Sequence, residues 1–295
     1  FLWRSASRSS QRVGDTMRTR RSAVAQNWDA QAGWDFSLSS NMIVRNDNER
    51  TTLREAGKKH AAILKQLAVM VVPGISTLEL EEEARRLIQE AGATPAFLGY
   101  QPQGAKRPYP AALCVSVNDA IVHGIPNEHP ITLQEGDIVT LDCGLTYKGL
   151  ITDAAVCVIA GQGSEEDKKF IRAAREALDA GIAQARAGNH IGDIGAAIEA
   201  VGKKYGYGSP RELGGHSVGR HVHEEPFVPY FGPAGGVEIL EEGMVMAIEP
   251  MFMLGGSKIY LDPDGYTYRT KDGSKSAHVE HTVIVAKNGA EVLTL

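Results

Sequence analysis

The sequence predicts an α+β domain built from two helix-helix-strand halves, related by a pseudo-twofold axis around a curved antiparallel sheet. Three observations predict it. Helical and β-rich stretches follow one another in the same order twice. Short motifs recur at near-constant offsets. Acids and histidines recur inside apolar runs, alongside the glycines that turns require.

The elements can be justified in order. Leu53, Ala56, His60, Ile63, Leu64, Leu67 and Val71 have the spacing of one helix face. Pro73-Gly74 stops that helix. Ser76-x-x-Glu79 reads as a capping box for a second helix through Ala91. Runs 112–117, 137–143 and 150–160 are β-rich. Ser164-x-x-Asp167 then opens a helix to about Ala187, Gly188 ends it, and another helix runs from about Ile191 to Tyr205. At an offset of 114, Gly74 matches Gly188, Glu79 matches Asp193, Leu80 matches Ile194 and Gly92 matches Gly206. His123-x-x-Pro126 is echoed in His223-x-x-Pro226. Glu135-Gly136 to Asp142 is echoed in Glu242-Gly243 to Glu249, and Asp153-Ala-Ala-Val156 in Glu280-His-Thr-Val283. Each echo alone is weak, and their shared order is the signal. A solenoid needs about three repeats, so two copies indicate one closed domain.

Bulk properties bound the function. The chain has 295 residues, 43% hydrophobic and 23% charged, a globular profile. No stretch approaches the roughly 20 apolar residues of a membrane span. Cys114, Cys143 and Cys157 are an odd number without metal-knuckle spacing, which suits a reducing compartment. The net charge is -5, and residues 1–41 hold six Arg and three Asp, so the remainder carries -8. Such an acidic body gives no reason to expect specific nucleic-acid binding. Residues 1–41 hold all three Trp without periodicity. They are expected to be a disordered or spurious extension, with 42–295 as a single catalytic domain.

The echoed pairs are His123/His223, Asp142/Glu249 and Asp153/Glu280, each keeping its chemical type. Packing alone would preserve Val and Gly, not acids inside strands. Thr146-Tyr147-Lys148-Gly149 reads as a hairpin turn. If the hairpin pairs symmetrically about Tyr147 and Lys148, Asp142 faces Asp153 with Cβ atoms roughly 4.5–5.5 Å apart. Opposed like charges need a Lys or Arg, a shared proton or a divalent cation between them. The flanks Val139, Leu141, Val156 and Val158 hold no base, so a cation is the economical choice. Glu249 and Glu280 sit on apolar strands too, where acids are seldom buried unless paired or metal-bound. His216, in a flexible Gly-rich loop, is the candidate imidazole that completes a two-metal site. Oxygen-rich ligation with one nitrogen suits Mn, Fe(II), Co or Zn. Two ions about 3.5–4 Å apart are a standard arrangement for hydrolysis.

Other polar residues have plainer readings. His221 and His281 are structural, and Glu224 and Glu225 are solvated or support other groups. Asp137 belongs to a turn, the charged run 165–169 is an exposed helix start, and Cys143 and Cys157 fill core.

Taken together, the chain resembles the type I methionine aminopeptidases, of the pita-bread metallopeptidase fold. The resemblance covers about residues 46–293. It rests on Ser116-Val-Asn-Asp-Ala-Ile-Val-His123-Gly-Ile-Pro126, Gly136-Asp-Ile-Val-Thr-Leu-Asp142, Thr152-Asp153, Gly215-His216, His223-Glu-Glu-Pro226, Ile248-Glu249-Pro250 and Val279-Glu280-His281-Thr282. It implies that Asp153 and Glu280 bridge two divalent ions, that Asp142 holds one, and that His216 and Glu249 complete the other. It implies that His123, His223 and Glu249 are catalytic: His123 contacts the substrate's first residues and assists proton transfer, His223 hydrogen-bonds the scissile carbonyl, and Glu249 handles the proton of the attacking water. By position the methionine pocket draws on Phe97, Tyr100, Tyr109, Cys114, Val222 and Tyr266. An aromatic residue is usual in the family where Val222 stands, Trp is common at Tyr266, and stretch 101–108 is longer. Asn118 and Ser276 match positions where the family binds a monovalent cation.

The implied activity is removal of the first methionine from nascent polypeptides, with a small second residue preferred. The expected setting is the cytoplasm, at or near the ribosome, as a monomer. A proline-directed aminopeptidase or dipeptidase of the same fold would share the five ligands. The short His123-Gly-Ile-Pro126 motif and the absence of a large extra N-terminal domain favour the methionine enzyme. Only 25 residues separate His223 from Glu249, which fits type I rather than type II. A non-catalytic binding protein on this fold would be expected to have lost ligands.

Overall fold

The computed structural model describes residues 42–295 apart from 103 and 237. The expectation for residues 1–41 lies outside the described residues. Helix α1 (Asp47–Met70) starts at Asn46, whose side chain accepts the Glu49 N–H at 2.9 Å. Its buried stripe is the predicted one, with His60 included. Helix α2 (Thr77–Glu90) carries the predicted capping box between Ser76 and Glu79. Helix α3 (Glu165–Gln184) repeats the device with Ser164 and Asp167. Helix α4 (Ile191–Tyr205) ends on Gly206, which takes the left-handed conformation such a cap requires. One boundary differs. Helix α3 ends at Gln184, before Gly188, because Ala187 and Gly188 donate their N–H groups to Ala286 and Leu240 instead of continuing the helix.

The strands are β1 (Thr94–Pro95), β2 (Leu113–Val117), β3 (Ala120–Val122), β4 (Ile138–Tyr147), β5 (Leu150–Ile159), β6 (Gly215–Ser217), β7 (Glu224–Val228), β8 (Val245–Ile248), β9 (Met251–Met253), β10 (Ile259–Leu261), β11 (Tyr268–Thr270), β12 (Ser276–His278), β13 (His281–Ala286) and β14 (Gly289–Val292). In the first half, β4 pairs with β1, β2 and β5. In the second, the order is β14-β13-β8-β6-β7. All these pairs are antiparallel. Each half has its own core. Leu67, Leu80, Ile88 and Leu141 pack beneath α1 and α2, while Phe170, Ile194, Met246 and Phe252 pack with α3 and α4. A third cluster, with Phe97, Tyr109, Cys114, Val222 and Tyr266, lies between them.

The β4–β5 hairpin corrects the predicted register. The ladder closes at Tyr147↔Leu150, so the turn is Lys148-Gly149. Both turn residues have positive φ, 49° and 80°, the requirement of a type I′ turn. The shift of two places puts Asp142 opposite Ala155 and Asp153 opposite Gly144. The two acids still share a face, as diagonal rather than direct neighbours. In the second half the β8–β13 ladder runs to Ile248↔His281. Glu249 and Glu280 stand one step beyond it, at positions that would pair next.

The halves meet at Ala155 and Glu280, which exchange backbone hydrogen bonds of 3.4 and 3.0 Å. Beside them Thr282 Oγ1 donates to Asp153 O at 2.6 Å and accepts the Asp153 N–H at 2.8 Å. One buried hydroxyl thus satisfies both backbone groups of Asp153. Thr282→Val keeps the shape but orphans them, and each unpaired buried group costs about 1–3 kcal/mol. The variant should lose stability on that scale in urea unfolding of metal-free protein. A change below about 0.5 kcal/mol would remove this hydroxyl from the junction's support.

Candidate active site

Asp142 is brought to the junction by β4 and Asp153 by β5. Glu280 precedes β13, and Glu249 follows β8. All four carboxyls are buried. Burial raises Asp142 to about 7 and holds Asp153, Glu249 and Glu280 well above the carboxylate range. Neighbouring acids push Asp153 and Glu280 in the same direction. No lysine or arginine forms an ion pair with any of the four among the described residues. Asp142 Oδ1, Asp153 Oδ1 and Glu280 Oε1 are buried without a hydrogen-bond partner. Buried polar atoms are rarely left so, and a cation needs just such oxygens. Coordination would also hold these carboxyls ionised.

His216 sits on β6, a buried strand of the second sheet, so the predicted flexible loop is corrected. Its glycines permit close strand approach rather than motion. A Cβ on Gly215 would lie 2.4 Å from Ala247 O. Nδ1 of His216 is 2.9 Å from Ser217 O. A carbonyl can only accept, so Nδ1 carries the proton and Nε2 offers its lone pair. Nε2 lies 3.4 Å from Glu249 Oε1 and 3.9 Å from Asp153 Oδ2. Burial lowers this imidazole to about 4, so it is a neutral donor rather than half of an ion pair. The donor atoms of Asp153, His216 and Glu280 lie within 4.8 Å of one another, as do those of Glu249, His278 and Glu280.

A cavity of about 280 Å³ opens onto this cluster. Every metal ligand and every methionine-pocket residue named from the sequence lines it, together with His123 and His223. His123 sits just past β3 with φ 60°, an uncommon conformation for a non-glycine residue. Burial, with His278 and His216 adding to it, lowers its ring to about 4. Burial also holds His223 well below its ordinary range.

Tyr100 does more than form a wall. Its hydroxyl lies 2.8 Å from His223 Nδ1. If the hydroxyl donates, the proton of His223 rests on Nε2. The apolar side is built by Phe97, Tyr109, Cys114, Val222 and Tyr266, with Tyr109 and Tyr266 in an edge contact at 5.1 Å. Stretch 101–108 is anchored at its base, where Tyr109 N–H donates to Tyr100 O at 2.8 Å. The Tyr266 hydroxyl donates to Arg107 O, and Arg107 pairs with Glu128.

Asn118 and Ser276 lie together but outside the cavity lining. Ser276 Oγ lies 2.7 Å from Asn118 O and 2.9 Å from Ala120 O, with one proton for the two carbonyls, and Asn118 Oδ1 accepts the Ile138 N–H. These contacts link β3, β4 and β12, and they gather the Ser276 hydroxyl and the Asn118 and Ala120 carbonyl oxygens at one point. Glu224 is buried rather than solvated, and its Oε1 accepts the Arg220 and His221 N–H groups. Sequence reasoning missed His278, buried against Glu249 and Glu280. The signal was period-two alternation, which puts His278 and Glu280 on one face of an extended segment.

Residues 51–287 match the model of metallopeptidase family M24. The chain is 46% identical over 244 residues to a methionine aminopeptidase of Aquifex aeolicus, covering 82% of this chain and 94% of that one. A solved methionine aminopeptidase from Thermotoga maritima superposes with a TM-score of 0.81 at 37% identity, covering 86% of this chain and 99% of its own. An Xaa-Pro dipeptidase from Bacillus anthracis superposes less closely, at a TM-score of 0.67 and 25% identity, and only 62% of its length is covered.

The centre has a direct test. Glu280→Gln should weaken divalent-metal binding by at least about tenfold, read by equilibrium dialysis and elemental analysis on folded protein. Undiminished binding would exclude Glu280 from the ligand set.

Proposed function

The chain belongs to metallopeptidase family M24, and from that premise we propose that it is a methionyl aminopeptidase, hydrolysing the first methionine from nascent polypeptides. The observation that carries the reading is one cavity in which the carboxylate-histidine cluster meets an apolar wall containing a cysteine. The three cysteines are free and buried, which supports a reducing setting such as the cytoplasm.

In this reading two divalent ions are held by Asp142, Asp153, His216, Glu249 and Glu280. When bound, they supply Lewis-acid polarisation of the scissile carbonyl and lower the pKa of the attacking water. Mn, Fe(II), Co and Zn all suit the donor set. The substrate's methionine side chain lies against Phe97, Tyr109, Cys114, Val222 and Tyr266, surfaces that suit a soft thioether. His123 contacts the first residues of the substrate. Glu249 takes the proton of the attacking water and passes it to the leaving amine. His223 donates from Nε2 to the carbonyl oxygen as charge develops there. Tyr100 keeps the His223 proton on that nitrogen. Water adds to the carbonyl carbon, the peptide C–N bond breaks, and free methionine and the shortened chain leave.

Protein supplied with Co(II) or Mn(II) should release methionine from Met-Gly-Met-Met and lose that activity to a chelator. Release from neither Met-Gly nor Met-Ala peptides under any divalent metal, together with cleavage of Xaa-Pro peptides, would establish the proline-directed reading instead. Tyr100→Phe keeps the ring and removes the tautomer control. It should lower kcat by about tenfold with KM little changed, whereas a rise confined to KM would make Tyr100 a pocket wall only.

A further inference from the structure

His278 is the one histidine at the junction that neither the internal echoes nor the proposed mechanism uses. It ends β12, paired with Met251 of β9, and is 1% exposed. Its Nε2 lies 3.3 Å from Glu249 Oε2 and 3.8 Å from Glu280 Oε2. Neither ring nitrogen has a hydrogen-bond partner among the described residues. The 3.3 Å approach is therefore close without being aligned as a hydrogen bond. Donors that each sit about 2.0–2.2 Å from a common ion lie roughly 3–4 Å from one another. The separations of His278 from both glutamates fall in that range.

We propose that His278 is a further metal ligand, supplying an imidazole nitrogen to an ion held with Glu249 and Glu280. The centre then has a nitrogen on either side of Glu249, whose Oε1 faces His216 and whose Oε2 faces His278. The alternative use of the ring, donating Nε2–H to Glu249, would require an alignment the structure does not have. A second imidazole moves the donor set away from the all-oxygen surroundings that favour Mn and toward Zn, Co and Fe(II).

This inference rests on the reading of the carboxylate cluster as a divalent-metal centre, and the experiment separates the two. Metal-free wild type, His278→Gln and Glu280→Gln are titrated with Co(II) and with Mn(II) by calorimetry, and the Co(II)-loaded proteins are examined by X-ray absorption for coordinated imidazole. Circular dichroism and thermal melting establish that each variant is folded. Wild type should show two coordinated imidazoles per chain. His278→Gln should show one, with Co(II) binding weakened about tenfold or more and Mn(II) binding weakened less. Equal affinity and an unchanged imidazole signal in His278→Gln overturn the assignment, even if kcat falls. Should wild type bind neither ion, the metal-centre reading fails and this inference fails with it. Wild-type binding that is lost in Glu280→Gln but intact in His278→Gln overturns the His278 assignment alone.

Discussion

Electrostatic repulsion among four buried carboxyl groups is the constraint around which the molecule is arranged. Asp142, Asp153, Glu249 and Glu280 share a space from which water is largely excluded, and no lysine or arginine pairs with them among the described residues. Burial raises all four, so without positive charge they tend to hold protons. The imidazoles that share the space are neutral there and bring no positive charge. A multivalent cation satisfies every member at once. Few other occupants could, because an added proton on one acid leaves the remaining orphaned oxygens unpaired.

The fold's part is to make that crowding rigid. Two sheets, each backed by a pair of helices, meet along one short line where Ala155 and Glu280 exchange backbone hydrogen bonds. Ala155 pairs with Asp142 on its other side, so one row across the strands carries an acid from each half. Gly215 lets β6 approach Ala247 closely enough to bring His216 into the same space. The cavity wall comes from elements on both sides of that line, which is why its residues form a core cluster of their own.

Much of this was legible in the sequence, for a physical reason. The capping boxes at Ser76 and Ser164 are local, and so is the left-handed cap at Gly206; local chemistry needs no partner to be recognised. Acids inside apolar strands were legible because nothing in packing alone would keep them. What escaped depended on distance or on one residue of register. The hairpin slipped by two places because Lys148 adopts positive φ, a conformation its residue type does not advertise. The His216 segment read as flexible because glycine marks both mobile loops and tightly packed strands. Tyr100 reaches His223 across 123 residues of chain, a contact that no local pattern encodes. His278 has no counterpart in the other half, so the internal repetition gives no sign of it.

On the proposed reading, the junction at Ala155 and Glu280 would tie the protein's abundance to the ion supply of its surroundings. Asp142 and Asp153 from one half and Glu249 and Glu280 from the other converge there, so an ion held among them would act as a reversible cross-link that exists only in the folded chain. Its contribution grows with the logarithm of free ion concentration over the dissociation constant, about 1.4 kcal/mol for each tenfold rise above that constant. Folded proteins hold a margin of only about 5–15 kcal/mol. A scarcity of metal would thus register first as a larger unfolded fraction exposed to proteolysis, and the amount of enzyme would fall along with its turnover.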